Sequence, residues 1–406
     1  MTSGVVVFTS IAANYLPKAR VLAHSVKKNA PHVRFYLMLV DEYPETSDWS
    51  QEPFDARLSL HDLGLDNPQS WSFGHSVVEL CTAVKGYATQ KLLSDPSIDK
   101  VFYFDPDMAV FGRFAELEAG LDETSILLTP HQSDPEVSVE AIMDNEMASL
   151  KHGVFNMGFF GVRDTPAGCQ FASWWSERLG SFCRDDLSRG LFTDQKWANL
   201  IPCFFEDYRV LRSPAFNVAT WNITTRRVTG SLERGITVNG EPLGFYHFSG
   251  FDSGDQALML EKYGAHSSAL QELRAWYIAE CEQNGQGAEG SGVYGYAHYV
   301  DGEPIRAIHR RLYRDRLDLQ RAFPNPYLRE PQGGYLGWFR ANSGYSEEEQ
   351  PVFVFDDQAP VGFTLGEIAR WLKRRSALSG NVLKRVGLRA LALIIGALAG
   401  IVSVVT

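Results

Sequence analysis

Hydrophobic positions fall into two alternating periodicities over the first hundred residues of the chain. GVVVFTS, from Gly4, is a β-branched apolar run ending in small polar residues, the pattern of a buried strand. YLPKARVLAHSVKKNAP follows with apolar residues at helical spacing and a closing proline, and VRFYLMLVDE is a second apolar run that ends in acids. Strand, helix and strand in this order predict a βαβ unit with parallel strands and a right-handed crossover. VVELCTAVKGYATQKLLSD predicts a further helix, broken near Gly86, which leads into the strand KVFYFDPDM.

Beyond that strand the pattern predicts shorter strands in SILLTPH, GVFNMGFFGVR and LGFYHFSGF, with a long helix, AGCQFASWWSERLGSFC, among them. Trp174 and Trp175 on that helix read as packing residues. From about Asp255 the chain turns strongly helical, passes through a flexible glycine-rich link, NGQGAEGSG, and enters an Arg-, Tyr- and Pro-rich stretch over 296–345. GSGVYG in the link matches GxGxxG, but no strand precedes it and no suitably placed acid follows, so it reads as a loop. The expected organisation is an α/β main domain over 1–255, a mainly helical extension over 256–362, and a distinct tail over 363–406.

Charge separates the tail from the rest. The chain has 406 residues and a net charge of −11, which excludes a nucleic-acid partner because phosphate neutralisation needs clustered Lys and Arg. Residues 364–389 carry seven Lys and Arg against one acid, leaving 31 bases and 48 acids, a net of −17, elsewhere. The last seventeen residues, ALALIIGALAGIVSVVT, carry no charge, and as a helix they reach about 26 Å, slightly short of a hydrocarbon core of roughly 30 Å. A basic segment feeding an apolar end predicts a membrane-associating helix at a cytoplasmic surface, spanning or lying in one leaflet. Five widely spaced cysteines without a CxxC exclude a zinc ribbon and fit a reduced cytoplasm. MTSGVVVFTS has neither a basic n-region nor a long apolar h-region, so no signal peptide is expected.

The candidate chemistry begins at VFYFDPDMAVF, where Asp105 and Asp107 interrupt an apolar run at the end of a strand. Carboxylates spaced D-x-D at a strand end can approach one hard divalent cation, Mn²⁺ or Mg²⁺, which shares such ligands with substrate phosphates. The bland alternative is a solvated Asp-Pro-Asp turn. A second alternative is an aspartyl-phosphate phosphohydrolase, which prefers Gly-Thr after the second aspartate, where Met108 and Ala109 stand here. Glycosyl transfer from a nucleotide sugar uses the metal to neutralise a diphosphate leaving group and expects a βαβ half before the motif, as found here. Downstream, Asn156 and Gly158 lie in a strand where a side chain has been omitted. Asp194 and Gln195 lie in an amphipathic segment, and His247 ends a late strand as a candidate third ligand.

Taken in order, these residues resemble GT-A fold glycosyltransferases, most nearly family 8, and a group of bacterial transferases from polysaccharide gene clusters. The resemblance covers roughly residues 4–255. It implies a Rossmann-like mixed sheet flanked by helices and a nucleotide-contacting loop after the first strand, with Thr9, Ser10, Ala12 and Tyr15 as candidates. It further implies that Lys85 reaches toward the donor, that Asp105 and Asp107 hold the metal with His247, and that Asn156, Gly158 and Gly250 line the donor site. Asp194 and Gln195 take the catalytic positions. The pattern departs at HFSGFDSGD, which offers Asp252 and Asp255 where family 8 has a lysine on the diphosphate. An inverting enzyme would need a carboxylate base, for which Asp252, Asp255 or Asp194 could serve, and a retaining one would use Gln195. The implied partners are a nucleotide-sugar donor, a glycan or lipid-linked acceptor and, through the tail, the cytoplasmic face of a bacterial inner membrane. A non-catalytic subunit scaffolding a membrane synthase is the alternative from a different class.

Overall fold

β1 (Val5–Ile11) is buried at every position and lies inside a seven-stranded sheet, as its apolar run over residues 5–8 requires of a strand covered on both faces. A computed structural model describes residues 4–44, 47–328 and 334–342. β1 pairs in parallel with β2 (Arg34–Leu39) on one side and β4 (Lys100–Phe104) on the other, and β3 (Ala56–Leu58) continues in parallel beyond β2. On the opposite flank β7 (Phe155–Arg163) runs antiparallel to both β4 and β6 (Ile126–Pro130). β8 (Tyr208–Val210) closes that side in parallel with β6, so the order is β8-β6-β7-β4-β1-β2-β3. This is the expected mostly parallel, mixed α/β sheet. Two short strands outside it, β5 (Met108–Val110) and β9 (Phe245–His247), pair antiparallel and set His247 opposite Met108.

Helices cover both faces. α1 (Leu16–Asn29) turns Leu16, Ala19, Leu22 and Val26 into the cluster around Val7, Phe35 and Leu37. α2 (Val77–Leu93) packs Leu80, Val84 and Ala88 with Val6, Phe8 and Tyr103 on the other face. A reciprocal box starts α2: the Ser76 hydroxyl accepts from Glu79 N, and the Glu79 carboxylate accepts from Ser76 N. The break expected near Gly86 is absent, and α2 is continuous. A Cβ at Gly86 would lie 2.9 Å from backbone atoms of Ser176 on α3 (Pro166–Phe182), so this glycine permits a close helix–helix approach. Trp175 on α3 is buried, while Trp174 is half-buried against the same core.

The described chain through Phe339 belongs to one compact unit. α4 (Ser268–Gln283) stacks Tyr277 on Phe248, ring centroids 3.9 Å apart. The glycine-rich link expected to be flexible is tied down: it holds a short helix, Gln286–Glu289, whose Glu289 pairs with Arg20 on α1 at 2.6 Å. The Gly290–Gly295 stretch is a loop with no strand before it, as expected. Ala307–Arg314 and Leu317–Ala322 are helical. The tail over 363–406, with the boundary at 362, lies outside the described residues. No helix among the described residues is long and apolar enough to cross a membrane.

Candidate active site

β1, β2 and β4 all end at one edge of the sheet, the edge where open α/β sheets bind ligands. The Asp105 carbonyl accepts from Met108 N (3.1 Å), which turns the chain from β4 into β5. Pairing of β5 with β9 then brings His247 back over the turn: Phe248 N donates to the Asp107 carbonyl (2.8 Å) and His247 N to the Val218 carbonyl (2.8 Å). Two residues 140 positions apart in sequence are thereby fixed by backbone hydrogen bonds alone.

His247 Nε2 lies 3.1 Å from Asp107 Oδ1 and 3.9 Å from Asp105 Oδ2. One ligand atom from each of Asp105, Asp107 and His247 lies within 4.8 Å of the others, so the three could hold a metal ion. Burial alone would lower the His247 pKa, but Asp107 and then Asp105 outweigh it and raise it. Burial acts against the Asp107 carboxylate, and His247 beside it brings its pKa below the ordinary value. Gly158 on β7 completes the cradle. A Cβ there would come 2.6 Å from Asp105 Oδ2 and 2.8 Å from Asn156 Oδ1, so the omitted side chain leaves the space the carboxylate occupies. The buried Asn156 Oδ1 has no partner, which also fits a site built for a polar ligand. Two carboxylates and an imidazole suit a divalent cation of the Mn²⁺ or Mg²⁺ kind.

Behind this cluster lies a second charge centre. Lys85 on α2 is buried, with Nζ 3.2 Å from Asp105 Oδ1, 2.9 Å from Asp194 Oδ2 and 3.1 Å from the Met157 carbonyl. Burial works against its charge, but Asp105 and Asp194 prevail and hold the ammonium well above its usual pKa. Burial pushes the Asp194 carboxyl up, with Lys85 opposing. The Tyr103 hydroxyl donates to Asp105 Oδ1 (2.7 Å) and lies 3.1 Å from the Ser10 hydroxyl, which donates to the Cys81 carbonyl (2.6 Å). Asp105 therefore faces the cradle with Oδ2 while Oδ1 is held from behind.

Gln195 opens a short helix directly after Asp194. Its Oε1 accepts from Met157 N (3.3 Å) and its Nε2 donates to the His152 carbonyl (3.2 Å), with Gly153 packed against its Cγ. The structure thus brings Lys85, Asp105, Asp107, Asn156, Gly158, Asp194, Gln195 and His247 to one edge.

The remaining candidates sit differently. Thr9 and Ser10 are buried in β1, and Ala12 is buried beside them. Tyr15 donates to Asp252 Oδ2 (2.6 Å), and Lys18, buried on α1, pairs with the same carboxylate. Gly250 adopts φ +74°, a conformation glycine tolerates best, and its carbonyl accepts from Gln256 N (3.0 Å). Asp255 accepts from the Ser253 hydroxyl (2.8 Å).

Sequence reasoning missed three residues here. His131 directly follows β6, with Nε2 accepting from Asn156 Nδ2 (3.2 Å), and burial, aided by His247, pushes its pKa down to about 4. Its signal was available, since it follows an apolar strand much as His247 ends one. Lys18 shares helical spacing with Val21 and Ser25, a second buried stripe on α1. Asp41, after β2, accepts from Ala13 N (2.8 Å) and Gly295 N (3.0 Å) and lines a cavity of about 530 Å³ with Tyr43, Arg57, His61 and Tyr296.

No protein-family model matches the chain. Two Bacillus subtilis (strain 168) proteins are similar in sequence, both described as uncharacterized. YfnF is 26% identical over 176 residues, 43% of this chain and 57% of its own length. YfnD is 25% identical over 250 residues, 60% of this chain and 76% of its own length. Among solved structures, the galactosyltransferase LgtC is 16% identical, covers 68% of this chain and 95% of its own, and has a TM-score of 0.38. The glycosyltransferase GlyE of Streptococcus pneumoniae is 18% identical with coverage of 54% and 47% and a TM-score of 0.35. Mouse xyloside xylosyltransferase 1 is 13% identical with coverage of 60% and 97% and a TM-score of 0.35. With all three TM-scores below 0.5, these likenesses set no residue of this chain against a residue of theirs.

Proposed function

We propose that this protein is a GT-A-type glycosyltransferase, similar to family 8, that moves a sugar from a nucleoside diphosphate-sugar to a glycan or lipid-linked acceptor. The observation that carries the reading is the Asp105–Asp107–His247 cluster at the C-terminal edge of the sheet, backed by buried Lys85 and Asp194. A divalent metal bound there supplies Lewis-acid stabilisation of the diphosphate leaving group. The protein's own residues do the rest. Lys85 and Tyr103 fix Asp105 from behind, so its second oxygen is preorganised in the cradle. Gln195 is held through both amide atoms and needs no reordering to meet the sugar beside the cluster. Asp105 and Asp194 together keep Lys85 charged at the floor of a site that must receive a polyanion.

An aspartyl-phosphate enzyme could also use the free Asp105 Oδ2, but that pattern prefers Gly-Thr after the second aspartate, where Met108 and Ala109 stand. The finer assignment follows the same reading: a role in bacterial surface polysaccharide synthesis, with the basic and apolar tail over 363–406 holding the enzyme at the cytoplasmic face of the inner membrane. The deciding experiment incubates the full chain with Mn²⁺ and a panel of nucleoside diphosphate-sugars and identifies the released product. Nucleoside diphosphate supports glycosyl transfer or its hydrolytic side reaction. Inorganic phosphate as the first product would replace this reading with phosphohydrolysis.

A further inference from the structure

Residues 137–154, between β6 and β7, carry an arrangement that soluble helices avoid. Helix Val139–Ala141 passes through a π-turn, Ile142–Glu146, into helix Met147–His152, and its apolar side chains face water. Val139 is 75% exposed, Met143 60%, Met147 55% and Leu150 69%. They recur at spacings of four, four and three from Val139 to Leu150 and form an exposed apolar ridge.

Polar residues beside the ridge pin the segment to the body. Asp144 pairs with Lys262 (2.6 Å) and accepts from the Tyr263 hydroxyl (2.8 Å). Buried Asn145 donates to Glu136 (2.7 Å), and Glu136 accepts from the Thr224 hydroxyl (2.6 Å). Lys262 also takes Glu140 (2.7 Å), so Glu140 and Asp144 are both matched by a cation from another helix. The segment is therefore held with its apolar side outward by four side-chain partners, and the exposed ridge is a built feature of the fold.

The ridge runs into the candidate active site. Its last turn supplies the His152 carbonyl that holds Gln195, and Lys196 donates to the Leu150 carbonyl (3.0 Å). Lys151 and Lys196 thus mark a cationic end beside Gln195, and the apolar ridge leads away from it. An apolar surface with a cationic end next to a transfer site complements one kind of substrate: a molecule with an anionic head and a long hydrocarbon chain.

We infer that the acceptor is a lipid with an anionic, phosphate-bearing head, whose hydrocarbon chain lies along Val139, Met143, Met147 and Leu150 while its head sits by Lys151, Lys196 and Gln195. This rests on the glycosyl-transfer reading and names the acceptor class it leaves open. Each methylene buried on the ridge strengthens binding by roughly fourfold, so affinity rises with chain length.

The test titrates the full chain, below the micelle concentration of each probe, with farnesyl phosphate and with isobutyl phosphate. It compares the natural protein with the Met143→Gln/Met147→Gln/Leu150→Gln variant. The substituted side chains face solvent, and an unchanged melting temperature checks that the fold is kept. We expect the natural protein to bind farnesyl phosphate at least tenfold more tightly than isobutyl phosphate, and the variant to bring that ratio close to one. In the same samples, Mn²⁺-dependent binding of nucleoside diphosphates should be equal. A ratio near one in the natural protein, or the same large ratio in the variant, overturns the inference. So does a natural dimer that the substitutions turn into a monomer without any chain-length preference, which would make the ridge a contact between copies. Loss of binding to phosphatidylcholine vesicles in the variant, again without chain-length preference, would make it a membrane face and equally overturns it. If neither protein binds any nucleoside diphosphate with Mn²⁺, the glycosyl-transfer reading itself fails and takes the acceptor assignment with it.

Discussion

Lys85 and Asp194 meet at 2.9 Å with both side chains almost wholly out of water, and Asp105 lies on the other side of the same ammonium. Two carboxylates around one buried cation tie a helix, the end of β4 and the Gln195 segment to one point. Removing the cation alone leaves buried Asp194 and half-buried Asp105 without their counter-charge, which costs on the order of 3 kcal/mol. Lys85→Met should therefore lower the urea midpoint markedly, and adding Asp194→Asn should restore part of the loss. Equal midpoints for the natural protein and Lys85→Met would show that the pair contributes nothing to the fold.

Gly158 predicts a sharper separation between fold and binding. An added methyl must displace Asp105 Oδ2, which lies 2.6 Å from where its carbon would sit. Overpacking of this kind costs roughly 1–3 kcal/mol. Gly158→Ala should stay folded by circular dichroism yet lose most of its Mn²⁺ affinity. Calorimetric Mn²⁺ binding equal to that of the natural protein would contradict the cradle.

Gln195 is held by the backbone on both of its amide atoms and has no ion pair with the cluster. Its substitution should therefore act on the sugar rather than on the nucleotide. Gln195→Ala should lower kcat at least tenfold with less than a threefold change in nucleoside diphosphate affinity. Parallel losses in both would assign it a structural role.

His75 gives a pH dependence away from the site. It donates from Nδ1 to the Trp71 carbonyl (2.7 Å), and burial, with Arg314 nearby, lowers its pKa to about 4. The unfolded chain keeps the ordinary value near 6.5. Above that value both states are neutral and the His75 contribution is complete. Between about 6.5 and 4 the unfolded state binds a proton the folded state refuses, so stability falls as pH falls through this window. Urea unfolding from pH 7.5 to 4.5 should show that decline, and His75→Gln should make it shallower. His131 is depressed to about 4 as well and supplies part of the slope that remains.

The parts of the site legible in the sequence were those written locally. Asp105 and Asp107 break an apolar run, His247 ends another, and Gly158 is an absent side chain inside a strand. The sheet was legible for the same reason, because β1, β2 and β4 are mostly apolar and a strand–helix–strand order leaves few topologies. What escaped depends on partners far along the chain. Gly86 reads as a helix break until Ser176 is placed against it, ninety residues later. Lys18 and Asp252 are separated by 234 positions, and neither residue alone announces an ion pair. The ridge at 139–150 has the periodicity of any amphipathic helix, and the partners that pin it, among them Lys262, Tyr263 and Thr224, lie far along the chain.

Under the proposed function, nucleoside diphosphate binding depends on a divalent metal held by Asp105, Asp107 and His247. The most direct measurement is the melting temperature with a panel of nucleoside diphosphates, with Mn²⁺ or with EDTA, for the natural protein and for Asp105→Asn/Asp107→Asn. A ligand at a hundred times its Kd stabilises the fold by about 2.7 kcal/mol, a shift well within reach of the method. The melting temperature should rise for at least one nucleoside diphosphate with Mn²⁺, stay unchanged with EDTA, and stay unchanged in the double variant under either condition. A rise of the same size without the metal, or in the double variant, would contradict that proposal.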